Sequence, residues 1–494
     1  MSTWPLVPEQ LAPRPVLPAA RLPGRLAWAA AATLGLLLGL PSVLAAGWLA
    51  SWPGPLAAIA WSTVLLALLS NIACALLGTF LVLRRMSLLS DAISHAVLPG
   101  LVVAFLLTGR LDPWAMLAGA VVVGVLTATG VQAVRHLAQL ADDASMGVVY
   151  PVLFALGVVL LSRYAHQVDL DTDCVLFGLL ELSALDTIPL AGWEVPRNAL
   201  PLGAALLGVG VFLALAWKEL VAASFDPEMA AAAGLRPRLM HYLLMTLVAT
   251  VAVASFEAVG SILVVAMMIV PGVCGRLLSD RVAGTLGYAV LVAAVAALWG
   301  YALAAWINST VAGSMAVAAG AVLVLVVLLS PRHGMLVGWL HLLNTQLAIA
   351  GEDLLKWLLK QEPGYETAAQ APQAAVPEQD VARVDRHRCL THLGGGLRAR
   401  VALWLLYRGG YIETAGQQVC LTPEGRRRAW HLVRAHRLWE TFLQEHFQLP
   451  PDHVHEPAEH LEHFLGPGLQ QELEQALQRT HDPHGRTIPR HAEE

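Results

Sequence analysis

The sequence predicts an all-α polytopic membrane domain of about nine or ten transmembrane helices, followed by a mostly α-helical soluble domain. Three observations carry that prediction. The chain of 494 residues is 56% hydrophobic and only 14% charged, too apolar for a soluble fold of this size. The apolar residues concentrate between positions 26 and 330, and the remainder has ordinary soluble composition. The basic residues bordering the apolar runs fall almost entirely on one side of the alternation, as they do in a chain threaded through a bilayer.

A spanning helix needs about 20 apolar residues. In chain order the candidate spans are 26–48, 57–83, 88–108, 113–134, 146–163, 198–217, 239–256, 258–276, 284–304 and 311–330. Ahead of them lies a Pro-rich segment with Arg14, Arg21 and Arg25, too long for the charged part of a cleaved signal peptide. Arg84, Arg85, Arg135, Lys218, Arg236, Arg238, Arg276, Arg281 and Arg332 lie on one side of the alternation. Arg110 and Arg197 are single exceptions. The positive side is cytoplasmic, which places both termini in the cytoplasm of a multi-pass protein of the cell membrane. The longest outer loop, about 164–198, holds Asp169, Asp171 and Asp173. It lacks the glycine and distal glutamate of a calcium loop and reads as a solvated acidic loop. The five cysteines lie far apart with no C-x-x-C pair, so neither a disulfide framework nor a thiolate zinc site is expected.

Ionisable residues within the spans carry the chemistry. After Arg84-Arg85, Asp91 lies about 9 Å along a helix and His95 one turn further, on the same face. Pro99-Gly100 loosens the backbone next to them. Charged groups at bilayer depth face a polar path or a partner. Asp91 and His95 therefore point to a route for a metal ion, or else to an internal pair between helices. Glu257, between two apolar runs, is a third candidate for that route, or an interface residue without a role. Carboxylate and imidazole donors suit manganese, iron or zinc, and the lack of a thiolate argues against copper.

The segment Ser224-Phe225-Asp226-Pro227-Glu228 opens a short helix on the cytoplasmic side. Asp226 is placed to cap it, Pro227 to start it and Gly234 to end it. Such a peg suits docking of a soluble partner.

Together, residues 84–100, the 224–228 loop and the stretch from Glu257 to Pro271 resemble permeases of metal-type ABC importers over residues 56–332. The resemblance implies a homodimeric or paired permease, embedded in lipid, that carries manganese, zinc or iron. An ATP-hydrolysing subunit would dock on the 224–234 loop and an extracytoplasmic metal-binding protein outside. The chain has no G-x-x-x-x-G-K-[ST], so this sequence supplies no P-loop for ATP; it reads as a transporter permease and not an enzyme.

Twelve of the eighteen histidines lie between His387 and His491. Residues 365–377 are rich in Ala, Gln and Pro and read as a flexible linker. On a helix started by Pro457, His455, Glu459, Glu462 and His463 fall on one face. Upstream, His436 and Glu440 are one turn apart. Two such helices offer a donor set for a divalent metal.

Leu421 to Arg426, His436 to Glu440 and Val454 to His463 resemble the iron- and manganese-dependent repressors, over roughly 350–490. The resemblance places metal ligands at His436, Glu440, His455, Glu459, Glu462 and His463. Glu459 in a slot that is cysteine in iron-type members favours manganese. Asp353 matches a further ligand, whereas Lys356 replaces an expected acid, so at least one site is incomplete or rebuilt. The resemblance also makes residues 396–408 a reading helix and 410–421 a wing, a winged-helix-like remnant. The helix carries only Arg398, Arg400 and Arg408, and residues 351–494 hold 16 basic against 20 acidic residues, which disfavours DNA as a partner.

Four segments are expected: 1–55, with an extra transmembrane helix; 56–332, the permease; 333–380, a connecting helix and linker; and 381–494, the repressor-like remnant with its metal-binding and dimerisation part. The reading is a membrane permease of an ATP-driven importer of divalent metal, manganese first, with a cytoplasmic metal-sensing tail. Two alternatives stay open: a membrane-tethered, metal-dependent transcription regulator, and a metal transporter driven by an ion gradient.

Overall fold

The computed structural model describes residues 22–86, 92, 96, 98–109, 113–139, 142–164, 180–190, 193–369 and 381–489. The chain divides into two compact units, one of residues 27–337 and one formed mainly by 338–494.

Among the described residues, the first unit contains nine helices long and apolar enough to cross a membrane. They lie within α1 (Leu22–Ala50), α2 (Gly54–Leu83), α4 (Pro113–Ala138), α5 (Asp142–Tyr164), α7 (Ala199–Phe225), α9 (Pro237–Val259), α10 (Ser261–Leu278), α11 (Val282–Ile307) and α12 (Val311–Leu329). Of the expected span 88–108, the helix α3 (Leu98–Thr108) is described. The extra N-terminal helix turns Leu36, Leu37, Leu40 and Leu44 outward, while Leu34 and Leu38 pack with Cys274, Val292 and Val322. Such one-sided burial is what a peripheral helix in lipid requires.

The second helix is the hub, packing against α7, α9, α10 and α11. Small residues make this possible: a Cβ on Gly78 would lie 1.9 Å from the Met268 carbonyl oxygen, so α2 and α10 touch backbone to backbone. Association in lipid relies on such close approach, because the bilayer offers no hydrophobic gain for bringing helices together.

The described part of the loop at 164–198 is more structured than its composition suggested. It contains a short helix α6 (Leu180–Ser183) and an antiparallel hairpin of β1 (Thr187–Leu190) and β2 (Trp193–Pro196), with Thr187 opposite Pro196. Its four-residue strands are too short for alternation to reveal. Asp169, Asp171 and Asp173 lie outside the described residues. Glu181 Oε1 accepts a hydrogen bond from the Val311 backbone N–H at 2.7 Å, capping α12 from 130 positions away.

The second unit is built on α13 (Met335–Lys360). Its Leu354, Leu355, Leu358 and Leu359 enter one core with Cys389, Leu403, Leu406, Val419, Leu421 and Trp430. The supposed flexible linker begins with an ordered turn: Tyr365–Ala368 is helical (α14), and the Tyr365 ring stacks on Trp430 at 5.4 Å. Residues 370–380 lie outside the described set. The winged part comprises α15 (Arg386–His392), α16 (Gly396–Arg408) and a three-stranded sheet of β3 (Val384–Asp385), β4 (Ile412–Ala415) and β5 (Gln418–Leu421), in the order β3-β5-β4.

The long helix α17 (Pro423–Phe447) starts as its residues dictate. Thr422 Oγ1 accepts from the Gly425 N–H at 3.0 Å, with Pro423 in the first turn. Gly425 is required because a Cβ there would meet the Tyr411 carbonyl oxygen at 1.9 Å. Beyond it, α18 (His455–Leu461) tightens into a 3-10 turn at Glu462–Phe464, and α19 (Pro467–Leu477) closes a small core with Ala435, Leu438 and Ile488.

Candidate metal centre

Two of the three residues assigned to a membrane route, Asp91 and His95, lie outside the described residues. Their neighbours Ala92 and Ala96 are helical and buried. Glu257 sits in the last turn of α9, between buried Phe256 and Ala258, three residues before Gly260 breaks the helix with φ +80°. A further polar group lies within the apolar run Leu56–Leu83. Ser70 and Asn71 of α2 are buried, and the Asn71 amide has no hydrogen-bond partner among the described residues. Cys74, one turn on from Ser70, lies 3.9 Å from the Ser255 hydroxyl of α9. A buried amide left without a partner costs several kcal/mol, and Ser-Asn inside an apolar run was the signal available.

The proposed docking loop forms a compact peg. Asp226 Oδ1 accepts from the Met229 N–H at 2.9 Å, α8 (Pro227–Ala232) carries Glu228 in its first turn, and Gly234 leaves it with φ +82°. Phe225 and Met229 are 65% and 71% exposed. Ser224 Oγ accepts a hydrogen bond from Arg84 Nε at 3.0 Å, tying the loop to the end of α2.

In the tail, the donors fall into two groups. The first joins α17 and α18. His436 Nε2, Glu440 Oε1 and His455 Nδ1 form a triangle with sides of 3.0, 2.8 and 2.9 Å. Around an octahedral ion with bonds of about 2.1 Å, adjacent donors are about 3.0 Å apart, so this triangle matches one face of such a shell. Glu440 is fully buried and its Oε2 has no hydrogen-bond partner. A buried carboxylate oxygen left bare is costly unless a cation meets it. The residues present therefore fit a divalent ion. His484 Nε2 lies 3.9 Å from Glu440 Oε1, a neighbour that spacing did not single out as a donor.

Electrostatics support the grouping. Burial alone would raise the Glu440 carboxyl, but hydrogen bonds and charge from His436 and His455 outweigh it and hold it at about 2. Burial pulls the His436 imidazole down, and Glu440 and Glu462 more than reverse that.

The second group is Asp353, Glu462 and His463, joining α13 to the 3-10 turn. His463 Nδ1 lies 2.8 Å from Glu352 Oε2, and its Nε2 lies 3.3 Å from Asp353 Oδ1. Burial would lower the His463 pKa, but these two carboxylates overcome it and raise it to about 9. Glu352 had no sequence-level role; it also pairs with Arg428 and is held below the usual carboxylate range, against burial, by His463 and Arg428. Glu462 Oε1 pairs with the buried Lys356 ammonium. Glu462 Oε2 lies 2.6 Å from His436 Nδ1, off the N–H axis, a close ionic contact rather than an aligned hydrogen bond.

Glu459 belongs to neither group. The single-face reading assumed one regular helix through 463, but the backbone tightens after Leu461, and Glu459 is left exposed with its charge felt by Lys360.

Comparison with known proteins agrees with both halves. Residues 57–330 match the ABC 3 transport family, and residues 422–490 match the iron dependent repressor, metal binding and dimerisation domain. The chain is similar to the manganese transport system membrane protein MntD of Bacillus subtilis (strain 168), with 42% identity over 57% of this chain and 96% of that protein. It is similar to the zinc transport system membrane protein TroD of Treponema pallidum (strain Nichols), with 41% identity over 55% of this chain and 74% of that protein. A probable metal transport system membrane protein of Chlamydia trachomatis serovar D is 27% identical over 84% of this chain and 93% of its own length. The chain belongs to the ABC 3 transport family, as a multi-pass membrane permease and not an enzyme, and carries a repressor-type metal-binding and dimerisation domain at its C-terminal end.

Proposed function

We propose that this chain is the permease subunit of an ATP-driven importer of a divalent transition metal, manganese ahead of iron and zinc, with a cytoplasmic tail that senses the same metal. The relatives named for manganese and zinc transport support the cargo class. Asp91 and His95 pass the ion, with Glu257 near the outer end of the route and Ser70, Asn71 and Ser255 adding neutral oxygen donors. Two permeases form the path. A separate ATP-hydrolysing subunit docks on residues 224–234, where Phe225 and Met229 present apolar contact, and an extracytoplasmic metal-binding protein delivers cargo from outside.

The sensor reading rests on the three donors whose spacing fits one ion. His436, Glu440 and His455 hold it, and the bound ion supplies a positive charge that ties α17 to α18. The arginines of α16 share its surface with exposed Leu397, Trp404 and Tyr407, an apolar face poorly suited to phosphate contacts. That favours regulation of transport over DNA binding. The test is uptake into vesicles preloaded with manganese, comparing the full chain with one lacking residues 350–494. Internal metal slows the full chain and leaves the shortened one unaffected. Identical responses would remove the feedback role, and uptake without any ATPase subunit would remove the ATP-driven mechanism.

A further inference from the structure

The two donor groups of the tail are not equivalent, because one of them already contains a cation. Lys356 is 7% exposed, and its ammonium sits on Glu462 Oε1, itself 1% exposed. The other polar atoms around it are also committed. Glu352 is divided between Arg428 and His463, and His463 spends both ring nitrogens on Glu352 and Asp353. Glu462 Oε2 is turned to His436. Three carboxylates, from Glu352, Asp353 and Glu462, thus face two fixed cations, Lys356 and Arg428, and an imidazole between them.

A divalent ion placed among Asp353, Glu462 and His463 would have to displace a buried ammonium, or share the site with it. Either is expensive where burial weakens screening. The first group differs in two respects: it contains no Lys or Arg, and its three donors stand 2.8–3.0 Å apart, at ligand spacing.

Resting on the reading of the tail as a metal sensor, the geometry points to Lys356 as a built-in counter-ion that takes the place of a second metal, so that each tail binds one divalent ion, at His436, Glu440 and His455. Lys356 also holds Glu462 close to His436 Nδ1, leaving Nε2 as the donor atom of that ring. Charge that other sites would acquire from solution is here written into the chain, and the response to metal is that of a single ion.

The test counts manganese bound per chain, by elemental analysis and by the spin resonance signal of free manganese, on the full-length protein in detergent. His455→Ala removes one ion from the wild-type count. His463→Gln leaves the count unchanged, and Lys356→Glu raises it by one. Lys356→Arg, which keeps the charge, matches wild type. A count lowered by His463→Gln overturns the inference while leaving the sensor reading intact. A count that His455→Ala does not change overturns both. If Lys356→Glu fails to fold, the His463→Gln count alone still decides the question.

Discussion

Replacing Glu440 by Gln tests the electrostatic description of the tail most directly. Glu440 is fully buried, and two imidazole nitrogens lie 3.0 and 2.8 Å from its Oε1. They hold its carboxyl at about 2 against an unperturbed 4.5, in spite of burial. A difference of about 2.5 units corresponds to about 3 kcal/mol of stability in the metal-free protein, a quantity that includes the response of both histidines. Because the folded pKa is depressed, that stability is fully present above about 4.5 and is lost as pH falls towards about 2. The assay is thermal unfolding of residues 338–494, followed by circular dichroism in chelator. At pH 7 Glu440→Gln lowers Tm by about 6–12 °C, using about 2–4 °C per kcal/mol for a domain of this size. The gap narrows progressively below pH 4.5. Manganese at about 100 times its Kd adds about 2.7 kcal/mol to the wild type and nothing to the variant. A variant that melts with wild type at pH 7 would refute the account of a charge stabilised by His436 and His455.

Three further outcomes are expected. His463 is raised to about 9, so its contribution is fully present below about 6.5 and is lost as pH rises towards 9. The metal-free tail therefore loses up to about 3 kcal/mol across that window, and His463→Gln flattens the slope in a pH series of denaturant titrations. Asp91→Ala or His95→Ala lowers manganese uptake into vesicles by about 10–100-fold without reducing the amount of permease in the membrane. Met229→Asp places a charge on the exposed face of α8 and weakens co-purification of the ATPase subunit by about 30-fold, the cost of one central contact residue, and unchanged co-purification would move the docking site elsewhere.

Much of the architecture was legible because water and lipid impose simple rules. A backbone crossing hydrocarbon must satisfy its own hydrogen bonds, so apolar runs of spanning length become helices wherever they occur. The helix at 396–408 and the wing at 410–421 were expected from the resemblance to the repressors, and the structure has a helix over Gly396–Arg408 and a strand pair over Ile412–Ala415 and Gln418–Leu421. The hairpin of residues 187–196 was not, because strands of four residues carry too little pattern. Nor was the cap that Glu181 provides to α12, since a pair 130 positions apart has no local signature.

The tail site divides in the same way. Periodicity and residue type named most of its donors, because carboxylates and imidazoles at helical spacing share a face. Their grouping needed the tertiary structure. The backbone tightens at Glu462, which swings Glu462 and His463 towards α13 and leaves Glu459 outside both clusters. Lys356 looked in the sequence like a lost ligand. Only the fold brings its ammonium onto a carboxylate 106 positions away. The sequence alone determined which segments avoid water and which side chains are able to bind a cation, because both are properties of single residues and their near neighbours. Which charges neutralise one another was decided by the tertiary structure, because Coulomb energy in a buried cluster depends on distances across helices that no local pattern specifies.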